Sequence, residues 1–242
     1  MNPDSLLKAR RLFTRTARAA SRVRGVSVVV CPPTIYLADL AARVRGKSSA
    51  LGAQDISSER GEGPFTGEVS ARMLASVGVS YVIVGHSERR ARGETDALVA
   101  QKVQGALAGG LVPILCVGER TRDAEGRYLA LLERQLLHSL EGVSRREAAR
   151  LVIAYEPIWA IGKSARDALE SGGLHEMVLF IRKTLVRRYG RSVGDDIRIL
   201  YGGSAEPENS AALARGGGAD GFLVGHASLS PESFSEIVAS VR

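Results

Sequence analysis

Seven short, nearly unbroken apolar runs recur along the chain, each followed by a longer segment with apolar residues at helical spacing. This alternation constrains the fold more than any other feature. The runs are Val26–Cys31, Ala50–Gln54, Tyr81–Gly85, Val112–Val117, Leu151–Tyr155, Ile197–Tyr201 and Gly221–Val224. Such strands are apolar on both faces, the situation of parallel strands covered by crossover helices. Helical patterns fill the intervals at 34–45, 68–77, 95–108, 123–141, 174–189, 206–215 and 230–241. Gly78 and Gly190 read as helix stops, and Ser204 and Ser230 lie near helix starts. No linker or low-complexity stretch divides the 242 residues, so one domain over 1–242 is expected. The pattern predicts an α/β fold of the (β/α)8 barrel type rather than a doubly wound sheet. The tally is irregular: seven strands against eight helices, with a helix first.

That first helix has to be distinguished from a leader. Residues 1–24 are rich in Arg and Ala and nearly free of acids, as organelle-targeting leaders are. However, Leu6, Phe13, Ala17 and Ala20 form one stripe at helical spacing, with Pro3 and Asp4 suited to a first turn. An amphipathic surface helix is therefore expected. The net charge of +7 is scattered, without a basic tail or interleaved aromatics. It suits a solvated surface with a weak pull on anions, and neither nucleic acid nor membrane is an expected partner. Cys31 and Cys116, far apart in apolar runs, read as two reduced core thiols of a reducing compartment.

A barrel of this kind carries its chemistry at the C-terminal ends of its strands. Those ends deliver His86-Ser87-Glu88-Arg89 after the third run and Glu156-Pro157 after the fifth, with Gln54-Asp55 and Gly118-Glu119 elsewhere. A histidine and a carboxylate at two strand mouths suggest paired acid–base chemistry. The last two turns, Gly202-Gly203-Ser204 and Gly225-His226, are glycine-based and feed helices, a setting in which backbone N–H groups attract a phosphate. Asp55 and Glu119 read as structural partners, and no function is assigned to His138 or His175, which lie on helical segments.

Seven stretches together resemble the triosephosphate isomerase family from residue 26 to the C-terminus. They are GPFTGEVSA at 63–71, GHSERR at 85–90, GETD at 93–96, ILCVGE at 114–119, AYEPIWAIG at 154–162, ILYGGS at 199–204 and LVGHASL at 223–229. The resemblance implies a TIM barrel and a cofactor-free aldose–ketose isomerase of glycolysis and gluconeogenesis, working in the cytoplasm. It would interconvert dihydroxyacetone phosphate and glyceraldehyde 3-phosphate through an enediolate. Glu156 would be the general base and His86 a neutral electrophile, the case treated as a standard example of tuned acid–base chemistry. Ser87 and Glu88 would support His86, and Cys116 would pack behind the base. Gly162, Ser204, Gly225 and His226 would meet the phosphate. Trp159 would pack at the hinge of a lid. The loop at 60–68, with Thr66 and Glu68, would enter a second subunit of a homodimer beside Arg89.

The departures from the family pattern raise alternatives. The family's first strand ends in Asn-x-Lys, whereas this chain opens with Met1-Asn2. Strand one and its lysine are therefore expected to be missing, through a start placed at an internal methionine or through a natural truncation. Lys8, Lys102 and Lys183 fall on helical segments and Lys47 precedes a strand, which leaves Lys163 as the lysine placed to compensate. The lid at 161–165 is short, and His226 stands where a glycine is usual. An isomerase of a four-carbon sugar phosphate and a non-catalytic phosphate-binding paralogue therefore stay open as readings.

Overall fold

A computed structural model describes residues 2–44, 49–59, 61–162 and 169–241. The strands are β1 (Val28–Val30), β2 (Ser49–Ala53), β3 (Tyr81–Val84), β4 (Val112–Val117), β5 (Val152–Tyr155), β6 (Arg198–Tyr201) and β7 (Gly221–Phe222). They form one sheet in chain order, and every pairing is parallel. The helices in chain order are α1 (Leu6–Ser21), α2 (Leu37–Val44), α3 (Ala71–Ser76), α4 (Ser87–Arg90), α5 (Asp96–Ala108), α6 (Arg127–Ser139), α7 (Arg145–Ala148), α8 (Ser171–Tyr189), α9 (Arg191–Gly194), α10 (Pro207–Gly216) and α11 (Pro231–Ser240). Eight of these match the amphipathic segments. The other three, α4, α7 and α9, are single turns whose four residues are too few to show a helical period. No helix among the described residues is long and apolar enough to cross a membrane.

Side chains alternate along each strand, so each parity chooses a face. Val82, Val84, Leu115, Val117, Ile153, Tyr155, Ile199 and Tyr201 join the large apolar layer beneath the helices. The opposite parity, Ile83, Ile114, Cys116 and Ala154, forms a second cluster with Cys31, Tyr81, Val152, Leu200 and Leu223. That cluster gathers residues from the end of β1 to just past β7, so the sheet curls around it as a barrel does. Among the described residues β1 pairs only with β2, and β7 only with β6. Both are shorter than their apolar runs, because an edge strand has a ladder on one side only. Outside this seam α1 packs on α11, with Ala20, Val28 and Val238 buried between them.

Two helix starts differ from expectation. Helix α1 is capped by Ser5, whose hydroxyl accepts from the Lys8 N–H at 3.3 Å. Asp4 therefore precedes the cap, where it makes an exposed 3.7 Å pair with Lys8. Helix α10 starts at Pro207 after Glu206, and Asn209 Oδ1 accepts from the Glu206 N–H at 2.9 Å. Ser204 is thus free of capping duty and donates to the Ala160 carbonyl at 3.0 Å. Gly190 does end α8, with φ at +80°.

Candidate active site

Strand parity and register build the site around Glu156. Val152 and Ala154 face the barrel interior, so the residue two further on continues inward from the end of β5. Cys116 is level with Ala154, and Tyr155 is level with Tyr201. Gly118 and Gly202 therefore flank Glu156 from the neighbouring strands. A Cβ at Gly118 would fall 1.7 Å from the Glu156 carbonyl oxygen, and one at Gly202 would fall 2.9 Å from Glu156 Cγ. Only hydrogen fits at these two positions. Glu156 is 2 % exposed.

His86 comes to the same point by a different route. At the end of β3, Gly85 takes φ +68°, and a Cβ there would meet Val99 and the Arg90 guanidinium. The turn places His86 at the N-cap of α4. Arg90 locks the turn by donating to the Gly85 carbonyl at 2.7 Å and to Ser139 Oγ at 3.0 Å. The imidazole bridges two partners: Nδ1 accepts from the Glu88 N–H at 3.3 Å, and Nε2 stands 2.9 Å from Glu156 Oε1. The other carboxylate oxygen of Glu156 accepts from the Ser87 N–H at 2.9 Å.

These contacts define the tautomer. An Nδ1 that accepts from a backbone N–H holds a lone pair there, so the ring proton is on Nε2 and is donated to Glu156. Burial pushes the His86 pKa down, but the hydrogen bond and charge of Glu156, with Glu88 behind, outweigh it and hold the ring above its ordinary value. Without an ionised Glu156 in contact, burial would be opposed mainly by Glu88. Cys116, fully buried behind the carboxylate, has its thiol pushed well up by burial and by the Glu156 charge, so it remains a protonated packing group.

A buried ionic cluster supports the α4 turn. Lys102, 4 % exposed on α5, donates to both oxygens of Asp55 at 2.7 and 2.9 Å and also to Glu94. Arg89 pairs with Asp55 at 3.0 Å and with Glu94 at 2.8 Å. Burial is the largest influence on both carboxyls and raises both; the two cations overcome it at Glu94, which ends below its ordinary value, while Asp55 ends above. Arg89 thus ties the α4 turn to Asp55 and Glu94.

The structure joins Glu156, His86, Ser87 and Cys116 directly. The Glu88 backbone supports His86 while its side chain is exposed. Ser204 touches the turn after Glu156 through Ala160. Gly162 takes φ +73°. Gly225 and His226 are exposed just beyond the end of β7, at the same end of the sheet. Thr66 and Glu68 are exposed in the loop before α3. Lys163 lies outside the described residues, as do Arg60 and Lys47. Residue patterns missed Gly118 and Gly202 as neighbours of the carboxylate, since their role is legible only once strand register is known.

Comparison with known proteins identifies the family. The triosephosphate isomerase family model matches residues 1–241. The triosephosphate isomerase of Carboxydothermus hydrogenoformans is 49% identical over 218 residues, covering 89% of this chain and 86% of the relative. That of Citrifermentans bemidjiense is 46% identical over 231 residues, covering 94% and 90%. The crystal structure of triosephosphate isomerase from Bartonella henselae superposes with a TM-score of 0.83 at 36% identity, covering 97% of this chain and 92% of that one. A curled parallel sheet with a carboxylate and a histidine in contact at its C-terminal end, matched over nearly its whole length, makes this chain a member of the triosephosphate isomerase family.

Proposed function

We propose that the protein interconverts dihydroxyacetone phosphate and glyceraldehyde 3-phosphate, with Glu156 moving the proton and His86 polarising the oxygens. The observation that carries this reading is the 2.9 Å contact between Glu156 and the Nε2–H of His86, buried at the mouth of β5. In the ligand-free site, His86 Nε2–H and the Ser87 N–H both bind the carboxylate. A substrate whose carbonyl and hydroxyl oxygens take the His86 donor would release the carboxylate toward the carbon between them. Glu156 then takes a proton from one carbon and returns it to its neighbour, while Nε2–H stabilises the oxygen on which charge develops. The electron pair stays within the substrate, so no redox partner enters the balance.

Burial favours a neutral ring, and so does the Glu88 N–H on Nδ1, which supports His86 as an uncharged donor once Glu156 has turned to substrate. For the phosphate we assign Gly162, Ser204, Gly225 and His226, with Lys163 as the accompanying cation. Exposure of the loop carrying Thr66 and Glu68 supports a homodimer interface there, and two free thiols fit a reducing, cytoplasmic setting. Gel filtration with sedimentation checks the dimer: a monomer at working concentrations would remove it.

Isomerisation of glyceraldehyde 3-phosphate tests the central assignment. Glu156→Gln should lower kcat by about 10²–10⁴-fold, the range of a positioned general base. A variant that retains the wild-type rate would end the reading.

A further inference from the structure

We infer that Arg122 is a positioning residue for the proton-transferring carboxylate, tying the residues on either side of Glu156 to one buried anchor. The inference rests on Glu156 being the base, as proposed above. The anchor is Glu119, 4 % exposed. Its Oε1 accepts from Tyr155 Oη at 2.8 Å, Trp159 Nε1 at 2.9 Å and Arg122 Nε at 2.9 Å. A second guanidinium nitrogen of Arg122 donates to Tyr155 Oη at 2.8 Å. The same guanidinium lies over two rings, 5.1 Å from the centroid of Tyr128 and 5.0 Å from that of Trp159. One cation therefore touches the acid, the phenol and the indole together.

Neither other partner can replace it in that role. Tyr155 and Trp159 give Glu119 hydrogen bonds but no charge, and a buried carboxylate without a cation is strongly disfavoured. A planar guanidinium donates from its edge while its faces stack on aromatics, and an ammonium cannot do both. The backbone reinforces the connection, since the Ile158 N–H donates to the Glu119 carbonyl at 3.0 Å and the Glu156 N–H to the Val117 carbonyl at 2.8 Å. Tyr155 is thus held behind Glu156 and Trp159 ahead of it, both on the helix-facing side, while the carboxylate between them faces His86. Arg122 acts through these neighbours. A loosened Trp159 would let the turn at 158–160 drift and carry Glu156 with it.

The test uses the full chain with Arg122→Met, Arg122→Lys and Glu156→Gln, and its single tryptophan as reporter. Arg122→Met should lower kcat by about tenfold to a hundredfold, as expected for a misplaced catalytic group, with KM changed by less than about twofold. Acrylamide should quench Trp159 more readily in that variant. Arg122→Lys keeps the charge and should recover the melting temperature but only part of kcat. Wild-type kcat in both Arg122 variants, or a raised KM with unchanged kcat, overturns the inference whatever happens to stability. If Arg122→Met fails to fold, Arg122→Lys decides alone, and wild-type kcat in it overturns the inference. An inactive Glu156→Gln beside unimpaired Arg122 variants leaves the base assignment standing and removes the role of Arg122. A fully active Glu156→Gln removes both.

Discussion

Glu156 owes its position to what its neighbours lack. Gly118 and Gly202 leave room for it from both sides, and a methyl group at Gly118 would have to displace backbone rather than a flexible side chain. Gly118→Ala should therefore destabilise the fold by at least about 1–3 kcal/mol, the usual cost of overpacking, and also lower kcat. Urea unfolding together with the isomerase assay would show both effects. The contact with His86 sets a second expectation. Removing the Glu156 charge takes away the largest influences raising the His86 pKa, so in Glu156→Gln that pKa should fall relative to wild type. Titration of the imidazole by NMR measures this directly. The sign follows through to stability: a raised histidine contributes stabilisation that is complete below its ordinary value of about 6.5 and fades as pH climbs through the raised one. Glu156 and His86 were legible in the sequence as candidates because each follows an apolar run directly. The glycines were not, because strand register is a tertiary fact that no single run contains.

At the scale of elements, the turn carrying His86 is held by α5 and by the loop after β2. Lys102 is where these pieces meet, buried against Asp55 and Glu94. Lys102→Met would leave two carboxylates facing Arg89 alone, and breaking a buried ion pair in this way costs about 3–5 kcal/mol. The variant should melt well below wild type, and its kcat should fall if the α4 turn shifts. Helical spacing alone placed Lys102 on its helix without revealing that it points inward, since α5 is apolar around much of its surface and buries Val99, Val103 and Ala106 alongside it. Strand β4 matches its apolar run residue for residue, having a partner on each side, whereas β1 and β7 fall short of theirs. The one-turn helices α4, α7 and α9 escaped notice because capping and loop geometry form them, and four residues carry no period.

In the whole molecule, β3, β4 and β5 are the middle three of the seven strands among the described residues, each with two neighbours, and β3 and β5 lead into His86 and Glu156. The edges β1 and β7 are the strands farthest from them in sheet order, and α1 packs against β1 and α11 there. Phe13 is buried at 1 % exposure where α1 meets the sheet layer. Phe13→Ala should cost about 3–5 kcal/mol, the range for emptying an aromatic site in a core. Calorimetry should show that loss as a single lowered transition, as one domain over 1–242 requires; two separate transitions would refute the single domain. Well below its melting temperature the same variant should keep a kcat close to wild type. The barrel thus resembles a bracelet fastened opposite its setting. Wear at the clasp shortens the life of the piece, while the stone stays seated until the clasp gives way.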